Sequence, residues 1–97
     1  DMETSMMLAL SPAGVNMAEA QNFASTSQDR AKHYAVLGNG KSAKLGWHMQ
    51  DYNAQGAAGN ATAANAAKGD ALVQSAGEQL ALLLKELVAL PLSTVRV

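Results

Sequence analysis

The feature that most constrains the fold is a proline-free run over residues 61–90, in which alanine and leucine dominate. Many of its apolar residues recur at intervals of three and four, which places them on one stripe of an α-helix. Asn60 can cap the start of this helix, and Pro91 fits a stop just after Leu90. The run therefore predicts one long amphipathic helix. Its apolar stripe consists of Leu72, Val73, Ala76, Leu80, Leu83, Leu84, Leu87 and Val88.

Two glycines lie inside this helix, and each weakens a helix by up to about 1 kcal/mol relative to alanine. We therefore expect close packing at Gly69 and Gly77. The leucine stripe is either core or a surface that binds a partner. In both cases we expect Leu80, Leu84 and Leu87 to be buried, within the fold or at a contact between subunits.

A shorter helix is predicted over residues 2–10, where Met6, Met7 and Leu10 recur at helical spacing. Ser11 should end it, because the residue before a proline is pushed out of the helical region. Pro12 can then open a new turn.

The middle of the chain is less regular. Residues 15–29 predict a loop with one short helix over residues 17–22. Two apolar segments, residues 34–37 and 43–47, flank Gly38-Asn39-Gly40. Because Asn-Gly accepts positive φ at low cost, this pattern predicts a β-hairpin.

Residues 35–42 also fit a relaxed phosphate-loop pattern, with alanine in place of the first glycine. A phosphate loop must lead from a strand into a helix whose amide groups face the phosphate. Residues 43–47 are a poor helix start, and no acidic magnesium ligand follows a downstream strand. We therefore predict a surface hairpin with Lys41 at its tip, and no nucleotide binding.

Composition narrows the classes of function. The formal net charge is −1 and the basic residues are scattered, so we expect no nucleic-acid partner. The absence of cysteine excludes disulfides, thiolate zinc sites and a cysteine nucleophile in this chain. The longest apolar run, residues 80–84, is too short to span a membrane, and no signal peptide is visible. We therefore expect no membrane contact and a cytoplasmic location.

His33 and His48 are the only histidines. Neither has a second histidine or a carboxylate at a spacing typical of a metal pair, although Asp51 follows His48 by three residues. We therefore predict no metal site built from this chain alone.

Two sequence blocks carry a resemblance to a known family. Residues 3–12, Glu-Thr-Ser-Met-Met-Leu-Ala-Leu-Ser-Pro, are similar to the creatininase-family segment that follows a His-Ala pair. Residues 56–60 and 62–69 resemble that family's Gly-x-x-Gly-Asp-Pro turn and the Ala-x-x-x-Ala-x-Lys-Gly start of its next helix. Asn60 and Ala61 replace the usual Asp-Pro. The similarity continues to about residue 90 and is only loose in the middle of the chain.

The resemblance implies a three-layer α/β/α fold with a mostly parallel sheet. Residues 1–97 would form the C-terminal segment of this single domain, an expectation that fits a sequence beginning inside a predicted helix. Two divalent metals, zinc or manganese, would be held by the N-terminal portion of the same fold. The implied activity is metal-dependent hydrolysis of a cyclic or linear amide C–N bond in a small substrate. A homo-oligomer, such as a ring-shaped hexamer, is also implied.

Only one functional residue of the family carries over, namely the glutamate of Glu-Thr-Ser, which is Glu3. The family's catalytic histidine would lie five residues before it. A His–Glu pair can shuttle a proton to the leaving nitrogen of an amide. Two alternatives remain open for the chain and for this residue. Glu3 could be a first-turn carboxylate favoured by the helix dipole, and the chain could be a non-catalytic helical module that binds a partner through its leucine face.

Overall fold

The computed structural model describes residues 1–97 and is mostly helical, with 59% of the residues in helices. The α-helices are α1 (Met2–Leu10), α2 (Thr26–His33), α3 (Met49–Tyr52) and α4 (Ala66–Ala89). The strands are β1 (Asn22–Phe23) and β2 (Gly59–Asn60). Short 3-10 turns lie at Pro12–Gly14, Met17–Glu19, Ala61–Ala63 and Leu92–Thr94.

Helix α1 has the bounds that its sequence predicts. It ends at Leu10 because Ser11, which precedes Pro12, lies outside the helical region at φ −153° and ψ 70°. The backbone N–H of Ser11 still donates to the carbonyl of Met7 at 2.8 Å, which closes the last turn. Pro12 then opens the first 3-10 turn, as predicted.

Helix α4 begins later than predicted and ends where predicted. The side chain of Asn60 accepts from the backbone N–H of Thr62 at 3.2 Å, so it caps a 3-10 turn and not the long helix. Asn65 is the residue that caps α4, because its side chain accepts from the backbone N–H of Lys68 at 2.9 Å. Leu90, in extended conformation before the proline, ends the helix.

Helices α1 and α4 pack most closely at Gly69, where the two backbones touch. Gly69 and Ser5 are both buried, and a Cβ atom built on Gly69 would lie 1.9 Å from the carbonyl oxygen of Ser5. Only glycine permits this approach. The prediction of close packing is confirmed at Gly69. It is wrong at Gly77, where an added Cβ would meet nothing within 4 Å.

The second half of α4 extends beyond α1 and is covered by nothing else in the chain. Leu80, Leu84 and Leu87 expose 56%, 54% and 54% of their surface. The chain by itself therefore does not bury them. Their burial against a part of the fold outside this chain, or at a contact between subunits, stays a prediction.

The three-layer α/β/α fold with a mostly parallel sheet is wrong for this chain. Its only sheet is antiparallel and pairs Asn22 with Asn60 and Phe23 with Gly59. Strands favour β-branched apolar residues. The chain has no isoleucine, and no two of its valines are adjacent. Alanine and leucine, which favour helices, make up most of the apolar residues instead.

The predicted hairpin is also wrong. Residues 34–37 and 43–47 form no strands, and one isolated bridge joins Leu37 to Ala43. Gly38 and Gly40 do adopt positive φ, at 147° and 70°, as a tight turn requires. However, the pairing ends after this single bridge.

Helix α2, which the sequence pattern did not predict, fixes the position of this turn. The hydroxyl of Ser25 accepts from the backbone N–H of Ser27 at 3.2 Å and caps the start of α2. At the other end of α2, the ammonium of Lys41 donates to the carbonyl oxygens of Ala31, at 2.8 Å, and Tyr34. The turn is therefore held against the end of the helix.

Tyr52 of α3 is the only large apolar side chain that the chain buries, with 4% of its surface exposed. Its ring stacks on Trp47, with a centroid distance of 4.4 Å, and lies 5.8 Å from the guanidinium carbon of Arg30. Its hydroxyl donates to the side-chain oxygen of Asn39 at 2.7 Å. This cluster joins α2, α3 and the glycine turn.

A candidate active-site groove at the start of the first helix

One open groove, of about 830 Å³, lies beside the first turns of α1. Its other walls are Phe23 of β1, Met49 of α3 and residues 57–61 around β2. The short β1–β2 pairing brings these two walls together, because residues 22 and 60 are partners in the sheet. The groove is therefore assembled from segments that are distant in sequence.

The lining of the groove combines apolar side chains with carboxylates. Met2, Met6, Phe23 and Met49 are the large apolar side chains among its lining residues, and methionine adapts well to irregular ligands. Asp1 and Glu3 are the only charged residues among those that line it. Such a groove suits a small organic molecule that carries at least one polar or cationic group.

Asp1 is engaged in a network that ties the start of α1 to the start of α4. One carboxylate oxygen accepts from the hydroxyl of Ser5 at 3.1 Å, and the other lies 3.3 Å from the ammonium of Lys68. That ammonium also donates to the carbonyl of Ala63 at 2.6 Å. The hydroxyl of Ser5 in turn accepts from the backbone N–H of Asn65 at 3.2 Å. Asp1 is therefore partly neutralised and has a structural role.

Glu3 differs from Asp1, because it has no hydrogen-bond or ion-pair partner in the chain. It is exposed and lies in the first turn of α1, at the edge of the groove. The helix dipole favours a carboxylate at this position. Its oxygens are therefore free to contact a group that enters the groove or a residue outside this chain.

The two histidines lie on other elements and do not line the groove. His33 is the last residue of α2, and its ring Nδ1 lies 2.8 Å from the carbonyl oxygen of Asp29. His48 precedes α3, and its backbone N–H donates to the carboxylate of Asp51 at 2.8 Å. His48 and Asp51, whose three-residue spacing is only weakly suggestive of a metal pair, therefore cap the start of α3.

The chain contains no group of three or more histidine, cysteine, aspartate or glutamate side chains that could hold a metal ion. The zinc or manganese pair that the family resemblance implies therefore does not fit the residues of this chain. Ligands outside this chain stay a prediction.

The phosphate-loop segment does not form a cradle for an anion. Lys41 is half-buried and bound to two carbonyl oxygens at the end of α2, so its predicted place at a hairpin tip is wrong. No helix follows Ser42, and the next one begins only at Met49. The absence of nucleotide binding stays a prediction.

The pKa of one carboxyl group is shifted. The ammonium of Lys32 donates to the carboxylate of Asp29 at 3.0 Å, and this hydrogen bond and its positive charge lower the pKa of Asp29. Both side chains are largely exposed on α2 and lie outside the groove.

None of the helices combines the length and apolar character that crossing a membrane requires.

Comparison with the models of known protein families matches residues 1–84 to the creatininase family, described as creatinine amidohydrolase. The chain therefore belongs to the creatininase family. Membership suggests a hydrolase of the amidohydrolase type. The match covers α1, the groove and most of α4, and it does not confirm that the chain is the C-terminal portion of a domain. No curated protein and no solved structure matches the chain.

The structure gives a physical reason for the Lys-Gly pair in the second of the two blocks that carry the family resemblance. In the Lys-Gly pair of the second block, Lys68 binds Asp1 and Gly69 permits the contact with Ser5. Both residues hold α1 on α4, and thereby fix the helix that carries Glu3. Sequence reasoning did not find Phe23 and Met49 as lining residues, since neither lies in a motif.

Proposed function

We propose that this chain supplies part of the active site of a creatininase-type amidohydrolase, which hydrolyses a C–N bond in a small cyclic or linear amide. The observation that supports the proposal most directly is the position of Glu3. It is an unpartnered carboxylate at the edge of an apolar groove. It also lies within the region that matches the family.

The chemistry of amide hydrolysis gives such a carboxylate a task. The leaving nitrogen must receive a proton, because an amide anion is a very poor leaving group. Glu3 would orient a histidine outside this chain and stabilise its protonated form during that transfer. The apolar walls would hold the body of the substrate and exclude water from one side of the reacting bond.

The metal belongs to the complete enzyme in this proposal. A zinc or manganese pair would be held by the N-terminal portion of the same fold, because the carboxylates and histidines of this chain do not converge. That portion would lie against the open side of the groove, next to Glu3. Asp1, bound to Ser5 and Lys68, would keep the start of α1 rigid at this contact.

Reconstitution tests the proposal. The chain would be combined with the N-terminal portion of the family fold, and the hydrolysis of creatinine and of small N-alkylamides would be assayed together with metal content. We expect hydrolysis and stoichiometric zinc or manganese only in the combined protein. In the combined protein, Glu3→Gln should lose most of the hydrolysis. The matched control Glu19→Gln, which removes an exposed carboxylate away from the groove, should keep it.

A second candidate function is supported by the exposed leucines of α4. A helical module that binds a partner through this face, without catalysis, would also explain why Leu80, Leu84 and Leu87 are uncovered. The two functions separate in the same assay. A combined protein that binds metal and remains inactive on every amide would favour the module and contradict the amidohydrolase proposal.

A further inference from the structure

The Asn39-Gly40 pair lies at an exposed turn outside the groove, and the proposed activity makes no use of it. Among the asparagines of the chain, Asn39 alone is followed by glycine. Asparagine is one of the thermolabile residues. Its side-chain amide carbon is open to attack by the next backbone nitrogen, and glycine, which has no Cβ, hinders that attack least. The pair is therefore chemically poised for modification.

The backbone nitrogen of Gly40 is free to act as the nucleophile. Within the turn, the N–H of Gly38 donates to the carbonyl of Ala43 at 2.9 Å, and the N–H of Lys41 donates to the carbonyl of Gly38 at 3.2 Å. The N–H of Gly40 donates to no backbone carbonyl. The space around Gly40 is also open, since an added Cβ would meet nothing within 4 Å. No internal hydrogen bond therefore has to break before this nitrogen reacts.

The side-chain carbonyl of Asn39 is polarised by a tyrosine. The hydroxyl of Tyr52 donates to its oxygen at 2.7 Å. Tyr52 is buried, and its ring is held by the stack on Trp47, so the hydroxyl is fixed in place. A fixed donor on a carbonyl oxygen stabilises the negative charge that develops there when a nucleophile attacks the carbon. The turn thus combines a free nucleophile with an activated carbonyl.

We propose that Asn39 is a site of spontaneous deamidation, promoted by the hydroxyl of Tyr52. The backbone nitrogen of Gly40 gives up its proton to solvent and forms a bond with the side-chain amide carbon of Asn39. The bond from that carbon to the side-chain nitrogen breaks, and the nitrogen takes up a proton and leaves as ammonia. Water then opens the succinimide ring at either carbonyl and yields aspartate or isoaspartate. Each product carries a new carboxylate, and isoaspartate also lengthens the main chain of the turn.

Tryptic peptide mass spectrometry of the folded chain, incubated at mildly alkaline pH, tests the proposal. Trypsin cuts after Lys32 and Lys41, so peptide 33–41 contains Asn39 and no other asparagine. We expect this peptide to gain the mass difference between an amide and a carboxyl group and to separate into aspartate and isoaspartate forms. Peptide 45–68, whose asparagines all precede alanine, is the internal control and should convert far more slowly.

Asn39→Gln should abolish the mass gain, because its amide can close only a larger ring. A wild-type peptide 33–41 that gains no mass, or gains it no faster than peptide 45–68, would overturn the proposal. This measurement needs no variant that disturbs the fold.

Tyr52→Phe tests the contribution of the structure. In the folded variant, shown to be folded by circular dichroism, conversion of Asn39 should slow by about threefold to tenfold, because the donor to its carbonyl is lost. In urea, wild type and variant should convert at the same rate, since neither retains the contact. Tyr34→Phe removes an exposed hydroxyl and is the matched control, with a rate like that of wild type. A folded Tyr52→Phe variant that converts as fast as wild type, or faster, would overturn the role of Tyr52.

Discussion

Both halves of α4 carry apolar residues, but the chain covers only those of the first half. Residues 66–77 pack on α1: the backbones touch at Gly69, and Leu72 and Val73 are half-buried. Residues 78–89 carry large leucines, and the chain offers no element to cover them. The difference shows which part of α4 the chain covers by itself and which part it leaves exposed.

The two halves also differ in their distance from the groove. The first half of α4 holds α1, and α1 carries Glu3 at the groove. The second half extends beyond α1 and leaves its leucines exposed. A substitution in one half should therefore leave the packing and exposure of the other half largely unchanged.

The largest effect on stability is expected at the tight contact. Gly69→Ala would set a methyl group 1.9 Å from the backbone oxygen of Ser5, and backbone atoms cannot move aside as a flexible side chain can. We expect the free energy of unfolding to fall by about 3 kcal/mol, the upper end of the usual cost of overpacking. Thermal unfolding followed by circular dichroism measures this change, and an unchanged midpoint would mean that α1 does not pack here.

A pair of leucine truncations compares the halves directly. Leu72, in the first half, is half-buried, so Leu72→Ala should cost about 1–2 kcal/mol. Leu83 is exposed, so Leu83→Ala should change stability by less than about 0.5 kcal/mol in dilute, monomeric protein. Urea unfolding at low protein concentration measures both free energies of unfolding. Equal losses for the two variants would contradict the distinction between the halves.

The change in stability expected at Gly77 has the opposite sign. Gly77 lies in the helix interior, and an added Cβ would meet nothing within 4 Å. Gly77→Ala should therefore stabilise the chain by up to about 1 kcal/mol, through helix propensity alone. A loss of stability would reveal a close contact at Gly77 that is absent from the isolated chain.

An effect on titration, with little consequence for stability, is expected on α2. Lys32 lowers the pKa of Asp29, so the contribution of the pair is present above the carboxyl pKa of the unfolded chain. It is lost as the pH falls through the lower folded-state pKa. In Lys32→Ala, an NMR titration should show the pKa of Asp29 moving up, and an unchanged pKa would contradict the contact.

The sequence predicted α1 and the end of α4, because the patterns there are local, but it did not predict α2 or α3 and began α4 too early. The bounds of α1 follow from helical spacing and from the Ser-Pro pair, and Pro91 ends α4 as expected. The close contact at Gly69 was also predicted, since a glycine inside a helix needs a packing reason.

The sheet could not be predicted correctly in the same way. The Asn-Gly turn forms, but strand formation depends on neighbours, and residues 34–37 find no partner strand. The three-layer fold came from the resemblance and not from the residues of this chain. Likewise, the groove depends on the distant pairing of residues 22–23 with 59–60, which no local pattern shows.

The most direct test of the account is one variant of the complete enzyme, Glu3→Gln, assayed for both turnover and thermal stability. The substitution keeps the shape of the side chain and removes the charge that would stabilise a protonated histidine. We predict that turnover falls by roughly 10²–10⁴-fold, with metal content unchanged. Stability should change by no more than about 1 kcal/mol. Turnover equal to that of the wild-type enzyme, with or without a small loss of stability, would contradict a catalytic role for Glu3.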